Sequence, residues 1–480
     1  MSLPAPLYSS PTATVDRRRM LLISPAFPPC AEVGALRWQK FAHVAAARGW
    51  TLDVITGAAM PGERADPTTL QQLPAGVRVW SIPLQPLLSE RLRRHVWGAI
   101  KATARVAAGL TSRAASSAEP HASAHAAAHA ESTTEGRRPA SVGAESDSFF
   151  ASMVRNHRAR DHFASWRRWC RDVEALSSAI ARERTPNVVV SSGPPHLAHE
   201  AARLAAGTLG VPLALDLRDP WFVDHAEPAD LRGATWQRRT AQFESRGCHA
   251  AQLVIANTDA SAALLRARYP ELAARVLVVM NGADPDVRAL AGRGDRFLIA
   301  HAGNLYGGRD PRFLFRGIRR FLDMTGAVPS DVQVEFVGGR TYDGIPLETI
   351  ARGEGLSEVF SSRPAMPRAD ALRFMGQAAV LVVLPQAWSH SVPAKIFEYI
   401  QFDAWLLVLS QPTDAASQLL ASTSADVVVP DDVEEIAARL STRYAEWTRG
   451  TRPVAINATG QFDRDAQARV LLERLEQLTG

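Results

Sequence analysis

The sequence predicts an α/β protein built from two doubly wound, Rossmann-like domains that face each other across a cleft. Three observations carry that expectation. Short β-branched runs such as Asn187 to Ser191, Phe297 to Ala302 and Ala378 to Leu384 have the length and continuous apolarity of strands buried on both faces of a parallel sheet. These runs alternate with helical patterns, which is the signature of repeated β-α-β units. The chain has 480 residues, 46% of them hydrophobic, enough for two full cores.

Composition narrows the function. A formal net charge of +5 with 21% charged residues suits an anionic substrate or membrane surface and falls short of a nucleic-acid footprint, so no nucleic-acid partner is expected. Cys30, Cys170 and Cys248 are widely separated and show neither a disulfide framework nor a zinc spacing. A reducing cytoplasm is the expected location. The run after Arg17 to Arg19 is too short, and too soon broken by Pro28 and Pro29, for a signal peptide. No run approaches the roughly 20 apolar residues of a membrane span.

Taken in order, residues 1 to 18 lack periodicity and read as a loose tail. Met20 to Ser24 is a first strand, a turn leads to a helix from about Ala35 to Arg48, and Thr51 to Thr56 is a second strand. Gly34 stands where that first loop meets its helix, either as an ordinary turn glycine or as a point where backbone approaches a ligand. From Glu90 to Arg113, Leu92, Val96, Ile100, Ala107 and Leu110 share one helical face, with Arg94, Lys101 and Arg105 opposite. Such a helix can lie on anionic lipid; the plainer reading is a domain helix with a solvated basic face. Residues from about 112 to 148 are mostly Ala, Ser, His, Glu, Thr and Gly with almost no large apolar side chain, and read as a disordered insertion. His121, His125 and His129 recur every four residues, a spacing that a low-complexity tract explains better than a metal site.

Order resumes with a helix from about Ser152 to Arg184. Strand Asn187 to Ser191 opens into the loop SSGPPH, which ends at His196, and a helix spans Leu197 to Leu209. Strand Val211 to Leu217 ends at Arg218, Asp219 and Pro220. In a doubly wound sheet ligands gather at the carboxyl ends of the strands, which makes these two outlets candidate binding loops. A helix from about Thr235 to His249 and strand Ala251 to Ala256 follow, with Thr258 or Asp259 as the cap of the next helix. The first domain is expected to span 20–285.

The second domain, expected at 295–460, opens with strand Phe297 to Ala302. Its outlet GNLYGGRDP, with Gly303, Asn304 and Arg309, can wrap a phosphate and supply a cation. Val332 to Gly338 is a strand, Ser361 to Met366 surrounds a short one, and Leu406 to Ser410 is the last. The strand at Ala378 to Leu384 runs into SHSVPAKIFEYI, where Pro393 can start a helix. Lys395 in the first turn suits a diphosphate beside the free amides of Ser391 to Lys395, and Glu398, three residues on, suits a ribose diol. Read alone, a K-x-x-E pair is more often a solvated ion pair. A last helix runs from about Asp463 to Leu478, within an expected closing segment at 461–480.

The wording around Lys395 and Glu398 resembles the P-x-K-x-x-E-Y motif of retaining glycosyltransferases of family 4, which have the GT-B fold. VVVSSGPPHLAHEAARLA with GVPLALDLRDPW, the P-P-x-x-x-x-G-x-x-R pattern ending at Arg37, and the N-G-A-D-P turn are similar to the same family. The resemblance covers roughly 20 to 60 and 150 to 475. It implies a nucleotide-diphosphate sugar as donor, held by Gly303, Asn304, His390, Ser391, Val392 and Glu398. It implies a glycan or lipid-linked acceptor near Gly34, Arg37, His196 and Arg218, and a closing helix that crosses back onto the first domain, while association with the inner membrane surface is what the basic helix from Glu90 and the positive net charge suggest. Arg309 and Lys395 would stabilise charge on the departing diphosphate, with no metal and no cofactor required. Asp219, or else Asp216, would orient the acceptor hydroxyl. The family's first acidic residue is His390 here. Two alternatives remain: a GT-B sugar-nucleotide epimerase, and a nucleotide-sugar-binding scaffold without transfer activity.

Overall fold

The computed structural model describes residues 3–11, 18–30, 33–57, 65–84, 149–221, 231–284, 287, 294–305, 308–384 and 389–480. The basic helix expected from Glu90, the insertion at 112 to 148 and its three histidines lie outside them. The described chain forms two large sheets.

The first sheet contains β1 (Tyr8–Ser9), β2 (Arg18–Ile23), β3 (Trp50–Gly57), β4 (Val77–Ile82), β5 (Val188–Gly193), β6 (Leu213–Leu217), β7 (Leu253–Ala256) and β8 (Val276–Val278). Their spatial order is β1-β4-β3-β2-β5-β6-β7-β8. All pairs are parallel except β1 with β4, where Tyr8 lies opposite Val79. Part of the expected loose tail is thus an edge strand. Winding starts at β2, moves outward to β4, and returns to β5 on the other side of β2. The switch point therefore lies between β2 and β5, where outlet loops diverge and leave a crevice.

The alternation along β2 shows how both faces are buried. Leu21 and Ile23 join the core beneath α3 (Phe149–Glu183), α4 (Leu197–Leu209) and α5 (Ala234–Ala250). Met20 and Leu22 join the opposite core, with Trp38 and Phe41 of α1 (Val33–Ala47). A short α2 (Thr68–Gln71) precedes β4, and α6 (Asp259–Arg268) follows β7.

The second sheet holds β9 (Phe297–Gly303), β10 (Val332–Gly338), β13 (Phe360–Pro364), β14 (Val380–Val383), β15 (Trp405–Leu409) and β16 (Asp426–Val428). The order is β13-β10-β9-β14-β15-β16, all parallel, with the switch point between β9 and β14. A ribbon of β11 (Thr341–Tyr342) and β12 (Ile345–Pro346) stands outside it. Between the strands run α7 (Arg312–Thr325), α8 (Leu347–Gly353), α9 (Arg368–Gly376), α10 (Ala394–Tyr399), α11 (Ala415–Leu420) and α12 (Val433–Thr448).

The final helix, α13 (Arg464–Thr479), leaves the second sheet and packs on α1. Ala468, Leu471, Leu472 and Leu475 enter the same core as Trp38 and Phe41. Arg48 at the end of α1 pairs with Glu476 at 2.7 Å. The connector between the sheets is pinned there too: Ala283 N–H donates to Phe462 O at 2.7 Å and Arg464 N–H to Ala283 O at 2.8 Å. No described helix is long and apolar enough to cross a membrane.

Candidate functional site

The two switch points supply the two halves of the site. At the second, β9 ends in Gly303 at a φ of +134°, a backbone region essentially reserved for glycine. A Cβ there would overlap the ammonium of Lys395, so the missing side chain leaves the room that Lys395 occupies. Lys395 comes from α10, just beyond β14, and its Nζ lies 3.2 Å from Nε2 of His301 on β9. Arg309, in the loop after β9, is 8% exposed and donates from Nη1 to Asn304 O at 3.2 Å. Burial is the main cause, and the Arg309 charge the second, that lowers the Lys395 pKa to about 7. The two expected phosphate cations therefore converge.

The other expected donor residues have mixed positions. Ser391 hydrogen-bonds Asp219 of the first domain. Val392 has its side chain in the core of the second domain, so only its backbone is available. Asn304 is exposed beside Gly339. Glu398 accepts from Arg368 Nη1, and Arg368 also lies 3.4 Å from Asp284, which Arg464 holds at 2.7 Å. A ribose diol would meet Glu398 already engaged in that chain of charges. The α10 helix has six residues, and its Ile396 N–H, one position beyond the amides of Ser391 to Lys395, donates to Pro393 O at 3.0 Å.

At the first switch point, Arg218 bridges the outlets of β2 and β5. Its Nη1 donates to Gly34 O at 2.9 Å and its Nη2 to Pro194 O. A Cβ on Gly34 would overlap that guanidinium. The close approach that Gly34 permits is therefore to Arg218. Four buried polar atoms gather here with no hydrogen-bond partner: His196 Nδ1, His199 Nε2, Arg218 Nε and Asn257 Oδ1. His196 stacks on Trp221 at 5.5 Å, and His199 Nδ1 is 2.7 Å from Ser191 Oγ. Burial holds His199 down to about 3 and His196 well below the usual imidazole value, so both rings are neutral. Asp219 is shifted upward by burial, against the opposing pull of Arg218.

Arg37 requires a correction. It is 2% exposed, grips Asp216 with Nε and Nη2 at 3.0 Å each, and donates to Met280 O at 2.7 Å and Val279 O at 2.9 Å. Asp216 also accepts from Trp38 Nε1 at 2.8 Å and Ser192 Oγ at 3.0 Å. A guanidinium and carboxylate so fully engaged leave neither Arg37 nor Asp216 available for an acceptor.

Sequence reasoning missed His301, Thr258 in its contact with the second domain, and Ser261. Thr258 does cap α6, accepting from Ser261 N–H at 3.0 Å, but its Oγ1 also donates to His390 O at 2.7 Å, and Ser261 Oγ donates to the same carbonyl at 3.0 Å. Among the described residues no cluster of His, Cys, Asp or Glu could hold a metal ion.

Comparison with known proteins adds three findings. Residues 123–282 match the family model described as a glycosyl transferase 4-like domain. A D-inositol 3-phosphate glycosyltransferase of Thermobifida fusca (strain YX) is 28% identical over 155 residues, a stretch covering 29% of this chain and 35% of that protein. The match thus spans about a third of that relative's length. Solved structures match almost end to end. Sucrose-phosphate synthase from Thermosynechococcus elongatus has a TM-score of 0.56 at 13% identity, covering 96% of this chain and 99% of that one. A UDP-forming trehalose-phosphate synthase from Burkholderia xenovorans scores 0.55 at 13% identity, over 96% and 100%. An Anabaena protein, HepE, in complex with UDP and glucose scores 0.54 at 12% identity, over 96% and 100%. At such identities these structures speak for the fold.

Proposed function

We infer that this chain, which has the GT-B fold and a glycosyl transferase 4-like domain, moves a sugar from a nucleotide-diphosphate donor to a hydroxyl acceptor with retention at the anomeric carbon. The observation that carries the reading is the convergence of Lys395 and Arg309 beside side-chain-free Gly303 at the second switch point. When the glycosidic carbon leaves a diphosphate, negative charge grows on the phosphate oxygens. Two fixed cations in a partly dry crevice hold that charge better than water does, and hold it more tightly as it develops.

The acceptor belongs on the opposite wall. Two neutral imidazoles, the Arg218 guanidinium and the Asn257 amide leave four polar atoms unsatisfied at the ends of β5, β6 and β7. Such atoms are costly unless a polyhydroxyl ligand or water meets them, and a sugar of a glycan or lipid-linked intermediate offers donors and acceptors at that density. Asp219 stands at the rim of this group and reaches across to Ser391. There it can orient the incoming hydroxyl, while the leaving phosphate takes its proton.

The relatives solved with UDP or a UDP-sugar make uridine nucleotides the first donors to try. Calorimetry with UDP-, GDP- and ADP-sugars, followed by a transfer assay on glycan acceptors, tests the reading. Lys395→Ala removes one charge-assisted contact of about 1.5–3 kcal/mol, or about 10- to 150-fold in donor affinity. A donor that binds wild type and Lys395→Ala equally well would overturn the assignment of this crevice.

A further inference from the structure

We propose that His301 is a positioning residue: anchored through Nδ1–H, it presents Nε2 as the acceptor that aims the Lys395 ammonium at the mouth of β9, and the pair takes up a proton when a diphosphate binds. The proposal rests on the glycosyl-transfer reading for the identity of the ligand. The geometry of the pair stands apart from it.

His301 is 1% exposed and spans the second switch point. Its Nδ1 lies 2.9 Å from the carbonyl of Val382 on β14. A carbonyl only accepts, so Nδ1 must carry the proton and Nε2 must offer its lone pair. That lone pair meets Lys395 Nζ at 3.2 Å. Phe336 packs against the ring at 5.1 Å between centroids and keeps it from turning. Burial, and then the Lys395 charge, hold His301 well below its usual pKa, so it stays a neutral acceptor.

The choice of lysine is informative. Of 54 cationic residues only Lys40, Lys101 and Lys395 are lysines. The ammonium sits over Gly303 where a Cβ would fall and, unlike a guanidinium, can release its proton when buried. The groups that face Lys395 are Arg309 from the loop after β9, His301 and Glu398. Glu398 supports the charge, but Arg368 already claims that carboxylate. With Arg309 opposing it, Lys395 shares the crevice as a fractional charge until a diphosphate arrives. The anion then favours the ammonium, and a proton enters from solvent.

Two measurements on the full chain test this. Trace acetylation with acetic anhydride across pH 5 to 11, read by mass spectrometry, titrates each lysine without any ligand. Lys395 should half-titrate near pH 7. His301→Phe, which fills the space against Phe336 without an acceptor, should move the Lys395 midpoint down; His301→Gln, which restores an oxygen near Nε2, should return it toward wild type. In the second measurement UDP, GDP and ADP are titrated between pH 7.5 and 9.5, where the diphosphate no longer changes charge. Affinity should fall about tenfold per pH unit, and Lys395→Arg should flatten the slope. A Lys395 midpoint near that of a free lysine, or one that His301→Phe leaves in place, overturns the proposal, as does a flat slope in wild type. If the midpoint responds to His301 but no diphosphate binds, the glycosyl-transfer reading fails and the positioning of Lys395 by His301 stands.

Discussion

Replacing Arg37 by Met should damage the fold of the first domain while leaving the donor crevice intact. Arg37 joins three parts of the chain: α1, which carries it; Asp216 at the end of β6; and the Val279–Met280 carbonyls that lead into the connector. Methionine fills much of the same volume but leaves Asp216 with only the Trp38 and Ser192 donors in a site 0% exposed. Removing one partner of a buried ion pair costs about 3–5 kcal/mol, because the remaining charge stays desolvated. For a unit of this size that corresponds to a fall in melting temperature of about 6–20 °C. Because the two sheets need not melt together, amide hydrogen exchange should accompany the scan. Protection should be lost at Val279, whose N–H donates to Ala256 O at 2.9 Å, before it is lost in the second sheet. The double variant Arg37→Met/Asp216→Leu should lose less than the sum of the two single changes. A melting shift under about 2 °C, paired with a large loss of acceptor binding, would refute this account and return Arg37 to the ligand.

Gly303→Ala should lower donor affinity about as much as Lys395→Ala, about 10- to 150-fold, because its methyl group takes the place of the ammonium; calorimetry with the same donor checks it, and unchanged affinity would mean that Lys395 acts elsewhere. Gly34→Ala should displace Arg218 from Gly34 O and Pro194 O, raising the KM for acceptor while donor affinity stays within about twofold, as measured by initial rates. The buried histidines predict acid sensitivity. His199 is lowered from 6.5 to about 3 and His196 shifts the same way, so between those values the unfolded chain binds protons that the folded chain refuses. Stability should therefore fall as pH drops below 6.5, by about 1.4 kcal/mol per pH unit for each histidine, and His199→Asn should remove about half of that slope in denaturant melts at pH 6.5, 6 and 5.5.

Much of the second domain was legible because its signals are local. Strand, glycine turn and helix follow one another at β9, and strand, Pro393 and helix at β14; winding order alone then brings Arg309 and Lys395 to adjacent outlets. The α4 helix is legible in the sequence with the same bounds it has in the structure, Leu197 to Leu209, because Gly210, at a φ of +67°, closes it. What stayed hidden depends on distant partners. Arg37 and Asp216 are 179 residues apart, and nothing near either one distinguishes a core ion pair from a ligand contact. Glu398 reads as a free carboxylate until Arg368, 30 residues earlier, is seen to reach it. His301 lies inside an apolar strand, where a lone histidine looks like a packing residue. Tyr8 and Ser9 are too few to show a period, and only the β4 edge reveals them as a strand.

His390 stands where the resembling family has an acid, which raises the question of whether the donor loop has lost a function. Among the described residues, the hydrogen bonds made by His390 belong to its main chain. The His390 carbonyl, with two lone pairs, accepts from both Thr258 Oγ1 and Ser261 Oγ across the cleft, while the next residue, Ser391, reaches Asp219. The loop before α10 is thus held by the first domain whatever side chain stands at 390, and the cations behind it are positioned from β9. His390→Ala should accordingly leave both hydroxyl contacts in place and change donor affinity by less than about threefold, within the range of a substitution that removes no specific contact. Thr258→Val with Ser261→Ala leaves that carbonyl without either partner and should weaken donor binding by more, even though both residues belong to the other domain. If His390→Ala instead costs as much donor affinity as Lys395→Ala, the imidazole itself touches the donor, and the substitution of histidine for the acid has changed the site's chemistry.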